Sequence, residues 1–252
     1  MFSSLTPLEN YIKFPLKRKS QSIFLWFTHK EGEFNKREIN ALERATHIFM
    51  HSANDVERIS RGTSTRCTVL TGAVNPIRFT PPSEFGEDIA WIGSPSPRKR
   101  PELLLEVARK LPNSRFRLIG PNWRKSAYWR SVSESANIDY VELDGAITSR
   151  DLDGCSILLT TSEVEGGPMP LLEGVASGLF PITTNVGFAK DVLTMSDIPE
   201  EFVVQPNSDA FVTAIIKARE MISSGFTPNR EKILNLTFER MAKIVHSKLF
   251  RS

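Results

Sequence analysis

From Asp88 onward, short apolar runs alternate with helical patterns, and this alternation constrains the fold more than any other feature of the sequence. Buried strands are predicted by the apolar runs at 89–93, 115–120, 140–143, 156–162, 180–184 and 202–204. Amphipathic helices are predicted at 101–111, 208–223 and 230–249. Strands that alternate with helices across short turns are typical of a parallel, doubly wound sheet. We therefore predict an α/β fold with a Rossmann-like sheet.

The first eighty residues carry fewer elements of this kind. Strands are predicted at 22–29, 47–51 and 67–72, with a helix between the first two. Three strands are few for a nucleotide-binding domain on its own. Residues 81–88 combine proline, glycine and acids without periodicity, as linkers do. The predicted organisation is a shortened N-terminal α/β lobe at 1–80, a linker at 81–88, a Rossmann-like domain at 89–235 and a C-terminal helix at 236–252.

The composition is that of an ordinary globular protein, with 40% apolar and 24% charged residues. A net charge of +3 is far from the concentrated positive charge of a dedicated nucleic-acid binder, so no nucleic-acid partner is expected. Cys67 and Cys155 show no disulfide framework, which favours a reducing, cytoplasmic compartment. The apolar run at 23–27 is too short to span a bilayer. Aromatics mixed with cations at 11–19 leave open either a solvated terminus or peripheral contact with the cytoplasmic face of a membrane.

Ligands of open parallel sheets bind beyond the carboxyl ends of the strands, and two predicted strand-to-helix turns carry unusual residues there. The first turn, G-S-P-S-P-R-K-R-P at 93–101, has Arg98, Lys99 and Arg100 just before a helix. Helix N-termini attract anions, and adjacent cations strengthen a phosphate site. These charges are equally compatible with a solvated basic loop.

The second unusual turn is E-V-E-G-G-P-M-P-L-L-E-G at 163–174. Glycines allow the backbone to approach a ligand closely, and prolines suit the first turn of a helix. Carboxylates accept hydrogen bonds from the vicinal hydroxyls of sugars and riboses, although two acids alone are more often surface charge. The residues concerned are Glu165, Gly166, Gly167, Pro168, Pro170 and Glu173.

Taken in order, these segments resemble the retaining, nucleotide-sugar-dependent glycosyltransferases of the GT-B fold known as family 4 or group 1. The segment at 165–187 is similar to the E-x7-E signature of that family, and this block is the most specific part of the resemblance. The segment at 89–108 looks like the family's phosphate-binding strand, loop and helix. Weaker similarity extends through 45–52, 69–79 and 237–245, so that the resemblance covers roughly residues 22–249.

The resemblance implies a role for individual residues. Lys99 matches the lysine on the donor diphosphate, Glu165 the acid on the donor-sugar hydroxyls, and Glu173 the acid that holds the ribose. His29 looks like the first-domain histidine that faces the donor sugar, so the implied catalytic set is Glu165, Lys99 and His29. Further donor contacts are implied for Gly93, Ser94, Arg98, Gly166, Gly167, Pro168, Met169, Pro170 and Leu171.

The implied reaction moves a sugar from a nucleoside diphosphate sugar to an acceptor hydroxyl with retention of configuration. The resemblance implies no metal, no protein nucleophile, and no cofactor besides the nucleoside diphosphate sugar, which is a co-substrate. The acceptor would be a glycan, a lipid or a small molecule. The turn after 140–143 is a candidate for base recognition, but its residues do not specify the base.

Two departures from the family pattern leave an alternative open. The family usually has arginine one residue after the glycine of the first turn, where this chain has Ser94; Arg98 or Arg100 would have to supply the charge from other positions. The family's first domain is also considerably longer than the segment before residue 81. The alternative is a non-catalytic nucleotide-sugar-binding or interaction module derived from a truncated glycosyltransferase.

Overall fold

The computed structural model of the protein describes residues 24–27, 36–81, 85–143 and 145–249. His29 and the segment at 11–19 lie outside these residues. The chain divides between Ala73 and Val74 into two compact units. The first unit contains the described residues up to Ala73 together with the helix that begins at Phe238, and the second unit is Val74–Thr237.

In chain order, the strands and α-helices of the described residues are β1 (Phe24–Phe27), α1 (Lys36–Leu42), β2 (His47–Met50), α2 (Ala53–Ser60), β3 (Cys67–Val69), β4 (Asp88–Ile92), α3 (Pro101–Lys110), β5 (Phe116–Ile119), α4 (Trp129–Ser133), β6 (Ile138–Val141), β7 (Cys155–Thr160), α5 (Met169–Ala176), β8 (Phe180–Thr183), α6 (Ala189–Met195), α7 (Ser208–Ser223), α8 (Glu231–Leu234) and α9 (Phe238–Leu249).

The first unit contains a parallel sheet with the strand order β1-β2-β3. The central strand β2 is buried along its whole length, as expected for a strand paired on both edges. The helix α2 follows β2 and is capped by Ser52, whose side-chain oxygen accepts a hydrogen bond of 3.1 Å from the amide of Asp55. The strands predicted within 22–29, 47–51 and 67–72 are confirmed by β1, β2 and β3.

The second unit is a five-stranded parallel sheet with the order β6-β5-β4-β7-β8. The chain first adds β5 and β6 on one side of β4 and then returns to place β7 and β8 on the other side. Alternate strand residues face two separate cores: Ile157 and Leu159 belong to one, and Leu158 to the other. Helices α3 and α7 cover the first face, while α5, α6 and α8 cover the second. The predicted α/β class with a doubly wound parallel sheet is thereby confirmed.

Two element predictions are wrong in detail. The segment 202–204 is not a ladder strand: residues Glu200–Phe202 form a 3-10 turn, followed by one parallel bridge between Val203 and Thr183. Pro199 and Pro206 flank the segment, and proline has no N–H with which to extend a ladder. The helix predicted at 230–249 is interrupted between α8 and α9, and within this break the carbonyl of Leu236 accepts a hydrogen bond of 2.8 Å from the amide of Val74.

Candidate functional site

The strand order of the second unit reverses between β4 and β7, which makes the carboxyl end of these neighbours a topological switch point. The loop after β4 contains Arg98 and Lys99, and the loop after β7 contains Glu163 and Glu165. The two loops are tied together by a hydrogen bond of 2.8 Å from the amide of Glu163 to the carbonyl of Arg98. The two turns that stood out in the sequence therefore meet at the position where such sheets bind ligands.

Three charged side chains form a cluster at this switch point. The ammonium of Lys99 lies 2.5 Å from Oε1 of Glu165, and Nη1 of Arg98 lies 2.8 Å from Oε2. Ser162 donates a hydrogen bond of 3.1 Å to Oε1 as well. The side chains of Lys99 and Glu165 are only 11% and 9% exposed, whereas that of Arg98 is 53% exposed. The cluster carries one net positive charge, held partly out of water.

A chain of hydrogen bonds between loops holds Lys99 in place. The indole of Trp91 donates to Oγ1 of Thr161 at 2.9 Å, and this hydroxyl donates to the carbonyl of Lys99 at 2.7 Å. The indole of Trp123 donates to the carbonyl of Gly93 at 2.8 Å, at the start of the same loop. Sequence reasoning missed these supporting residues. A buried tryptophan N–H needs a hydrogen-bond acceptor, and this need was the available signal. The sequence does not identify the acceptor, because it lies far from the tryptophan along the chain.

The backbone between β7 and α5 offers two hydrogen-bond donors beside the cluster. Among the described residues, the amides of Gly166 and Gly167 have no acceptor, whereas that of Met169 donates to the carbonyl of Gly167. The amide of Leu171 donates to the carbonyl of Pro168, and the side chain of Leu171 is fully buried in the core. Of the backbone groups implied to contact the donor, the amides of Gly166 and Gly167 are therefore available, whereas those of Met169 and Leu171 are already used and Pro170 has no N–H.

A third loop, between β8 and α6, packs closely against the backbone of Gly166. Gly187 has a φ of +48°, and a Cβ at this position would lie 2.6 Å from the carbonyl oxygen of Gly166. A glycine is required here both by the backbone conformation and by the close approach. The arrangement fixes the backbone on which the free amides of Gly166 and Gly167 stand.

Glu173 lies in α5 and is largely buried. Burial raises the pKa of its carboxyl to about 6, while the guanidinium of Arg78 acts in the opposite direction. Arg78 donates hydrogen bonds to the carbonyls of Ala146 and Ile147 at 2.8 and 3.1 Å, in the loop that follows β6. Glu173, Arg78 and the candidate base-recognition turn therefore belong to one neighbourhood of the second unit.

The two arginines considered as substitutes for the family arginine differ in position. Arg98 contacts Glu165, so its charge is at the cluster. Arg100 instead donates to the carbonyl of Pro206 at 3.0 Å and lies 3.4 Å from Glu102. Gly93 and Ser94 are partly exposed at the start of the loop. Of the two arginines, only Arg98 brings its charge to the switch-point cluster.

Metal-binding clusters and membrane-spanning helices are both absent from the part of the chain that the structure describes. No group of three or more His, Cys, Asp or Glu side chains there is arranged to hold a metal ion. No helix of that part combines the length and the apolar character that crossing a membrane requires.

The fold and the switch-point site define an α/β protein with a doubly wound, Rossmann-like parallel sheet. Comparison with models of protein families matches residues 79–224 to the family described as glycosyl transferases group 1. This match covers more than half of the 252 residues, and the chain belongs to that family. A search of curated protein sequences found no match.

Solved structures with a similar fold share little sequence identity with the chain. A TarM variant from S. aureus, in complex with Fondaparinux, alpha-GlcNAc-glycerol and UDP, is 14% identical, with a TM-score of 0.71 over 98% of this chain and 54% of that one. Sucrose-phosphate synthase from Thermosynechococcus elongatus is 16% identical, with a TM-score of 0.66 over 89% and 66%. HepE from Anabaena, in complex with UDP and glucose, is 11% identical, with a TM-score of 0.68 over 91% and 71%. The chain spans about half of the length of the TarM chains.

Proposed function

We propose that the protein is a retaining, metal-independent glycosyltransferase that moves a sugar from a nucleoside diphosphate sugar to an acceptor hydroxyl. The observation that carries the proposal is the cluster of Lys99, Arg98 and Glu165 beside the available amides of Gly166 and Gly167. A diphosphate needs positive charge and N–H donors, and a sugar needs carboxylate acceptors. Family membership supports the same reaction class.

Donor binding would exchange the partner of Lys99. In the structure, the ammonium of Lys99 is paired with Glu165. A diphosphate beside the loop would compete for that ammonium and leave Oε1 of Glu165 to accept hydrogen bonds from sugar hydroxyls. Arg98 would keep its contact with Oε2 and so hold Glu165 at the sugar. The amides of Gly166 and Gly167 would complete the anion site, and the positive end of the α5 dipole would add to the local potential, although the amides of Met169 and Leu171 are already used.

The transfer needs no covalent intermediate with the protein. The bond between the anomeric carbon and the β-phosphate oxygen breaks, and the acceptor oxygen forms the new bond on the same face of the sugar. The proton of the acceptor hydroxyl passes to the departing phosphate oxygen. Lys99 and the N-terminus of α5 stabilise the negative charge that develops on the diphosphate, which is the kind of interaction that contributes most to many enzymatic rates.

Glu173 would bind the ribose of the donor, and the loop ordered by Arg78 would face the base. Three structural relatives are described as complexes with UDP, so a uridine diphosphate sugar is the first donor to test. By the family resemblance, His29 would also take part in recognising the donor sugar. The acceptor is proposed to be a glycan, a lipid or a small molecule.

The test is turnover of UDP-glucose, UDP-galactose and UDP-N-acetylglucosamine in buffer that contains a chelator, with sugar transfer or hydrolysis as the readout. Glu165→Ala should lower turnover about a hundredfold, because the donor loses its positioning group. Glu106→Ala, which removes an exposed carboxylate of α3, is the matched control and should leave turnover unchanged. Turnover that is insensitive to Glu165→Ala would remove Glu165 from the site, and a requirement for added metal would refute metal independence.

Calorimetric titration with UDP, GDP and ADP separates binding from catalysis. We expect one of these nucleotides to bind, and we expect Lys99→Ala to weaken binding while the exposed Lys125→Ala does not. Binding without any turnover in the folded protein would support the alternative of a non-catalytic nucleotide-sugar-binding module. A folded protein that neither binds nor turns over a donor would contradict donor binding and would favour a non-catalytic interaction module.

A further inference from the structure

A separate cavity of about 370 Å³ opens beside β8, between the loop after β7, the loop after β8 and the segment that precedes α7. We call it the β8 cavity. Its polar wall contains Glu163, Thr184, Asn185, Lys190, Glu200 and Gln205. Lys99, Glu165 and the glycines at 166 and 167 do not line it. The cavity is therefore distinct from the switch-point cluster, although Ser162 belongs to its wall and donates a hydrogen bond to Glu165.

The charges around the β8 cavity compensate one another. Lys190 forms an ion pair with Glu200, and Arg100 donates to the carbonyl of Pro206. Glu163 adds a second negative charge, so the two cations and two anions of the wall sum to zero. The switch-point cluster, by contrast, has an excess of one positive charge. A phosphate or a nucleotide is thus poorly matched to this wall, whereas a neutral ligand is well matched.

The hydrogen-bonding groups of the wall match hydroxyls. Within the described part of the chain, no hydrogen bond or ion pair occupies the side chains of Asn185, Gln205 or Glu163, and all three are exposed. A side-chain amide both donates and accepts hydrogen bonds, and a carboxylate accepts them. Together they suit ligand hydroxyls, which also donate and accept. Thr184 is less available, because its hydroxyl donates to the carbonyl of Ser162 at 2.5 Å.

The wall of the β8 cavity also has an apolar part, which suits the C–H surface of a sugar ring. Val186, Val204 and Pro206 face the cavity between the polar groups. A pyranose presents C–H surface and hydroxyl edges side by side, so it needs both kinds of wall at once. The volume of about 370 Å³ lies at the lower end of the range of small-molecule sites, roughly 300–1,000 Å³.

We propose that the β8 cavity binds a neutral pyranose sugar, either free or as one residue of a glycan. This binding site is additional to the proposed donor site. It does not depend on the donor reaction, since none of the groups that recognise the sugar belongs to the switch-point cluster. Asn185 and Gln205 supply the specific hydrogen bonds, and Glu163 accepts from a further hydroxyl.

The experiment is saturation-transfer NMR on the 252-residue chain with glucose, galactose and N-acetylglucosamine, each measured with and without UDP at saturation. At least one sugar should bind in the millimolar range, and its signal should persist with UDP present. The double variant Asn185→Ala/Gln205→Ala should lower affinity about tenfold, the effect of losing two hydrogen bonds. Asn113→Ala, an exposed asparagine in the turn after α3, is the matched control and should bind normally.

The variant Glu165→Ala distinguishes this proposal from the proposed function. It should leave sugar binding in the β8 cavity unchanged, even if the protein proves to have no donor activity. The proposal is overturned if none of the three sugars receives saturation transfer, or if UDP or Glu165→Ala abolishes the signal. It is also overturned if the double variant binds as the wild type does, or if inorganic phosphate displaces the sugar. Circular dichroism verifies that each variant is folded.

Discussion

At the scale of single residues, Lys99 and Glu165 bury opposite charges side by side, and Glu165 also contacts the more exposed Arg98. Removing one member of a buried pair leaves the partner without compensation, which costs more than removing both. We expect Lys99→Met to lower the free energy of unfolding by about 1–3 kcal/mol, less than for a fully isolated pair because Arg98 still contacts Glu165.

The double variant Lys99→Met/Glu165→Gln should be more stable than the sum of the two single changes predicts. Urea unfolding of the four proteins measures the coupling, which we expect to exceed about 0.5 kcal/mol. Lys125→Met, at an exposed lysine, gives the baseline for losing a cation. Additive effects would contradict a direct interaction between Lys99 and Glu165.

Glu173 is a residue whose burial opposes stability. Its folded pKa of about 6 is higher than the ordinary 4.5, so the folded state binds the proton more tightly than the unfolded chain does. Stability from this group is complete below pH 4.5 and is lost as the pH rises through 6. The side chain of Glu173→Gln stays neutral at every pH. Above pH 6 the free energy of unfolding of this variant should therefore exceed that of the wild type by about 2 kcal/mol, because each pKa unit of the shift from 4.5 to about 6 corresponds to about 1.36 kcal/mol.

Measuring unfolding by urea between pH 4 and 8 tests this prediction for Glu173. The difference between Glu173→Gln and the wild type should vanish near the acid end, whereas the exposed Glu106→Gln should show no such trend. A constant difference across the range would mean that Glu173 does not titrate there. If Glu173 holds a ribose, the same substitution should weaken nucleotide binding, so that stability and function change in opposite directions.

At the scale of elements, a single glycine of the loop between β8 and α6 determines the backbone position of the loop between β7 and α5. Gly187→Ala introduces a methyl 2.6 Å from the carbonyl oxygen of Gly166 and places alanine at a φ of +48°. The backbone of residues 166 and 167 must move, so we expect weaker nucleotide binding as well as a loss of stability. Calorimetry and urea unfolding measure the two effects.

Gly225→Ala separates conformational strain from steric contact. Gly225 has a φ of +91°, but a Cβ there meets nothing within 4 Å. This control should cost about 1 kcal/mol of stability and leave nucleotide binding unchanged, because only the left-handed backbone is penalised. If Gly187→Ala behaves as Gly225→Ala does, the contact with Gly166 does not shape the site.

The elements differ in how well the sequence predicts them. The strands β4, β5, β7 and β8 are buried, and their nearly continuous apolar runs are recognisable without any knowledge of their neighbours. The helices α2, α4 and α6 were not predicted, because five to eight residues carry too little periodicity to be distinguished from a turn. The segment 202–204 looks like a strand but sits at the sheet's edge between prolines, where it forms a single bridge.

The sequence predicts the charged residues of the candidate site but not how they pair. Basic and acidic turns at strand ends indicate a ligand site, and the structure brings Lys99, Arg98 and Glu165 together. That Lys99 and Glu165 would pair with each other did not follow from the sequence. Nor did the support from Trp91 to Thr161, since these residues are 70 positions apart and meet only when β7 pairs with β4.

At the scale of the whole molecule, both proposed ligand sites belong to the second unit and to the same end of its sheet. The carboxyl ends of parallel strands carry the variable loops, while the helices on both faces hold the strands in place. The switch-point cluster uses the loops after β4 and β7, and the β8 cavity uses those after β7 and β8. One rigid scaffold thus offers a charged site and a neutral site, and the loop after β7 contributes to both.

This arrangement predicts which backbone amides a bound nucleotide will protect from hydrogen exchange. A nucleotide at a hundred times its Kd should stabilise the folded protein by about 2.7 kcal/mol, and protect from hydrogen exchange the amides that it orders. We expect protection in the segments 93–100 and 161–168 and in the loop after β6. The strands β1, β2 and β3 of the first unit serve as an internal comparison, because none of their described residues belongs to the proposed nucleotide contacts. Protection confined to the first unit would place the nucleotide elsewhere and would contradict the assignment of Lys99 and Glu173 to its binding.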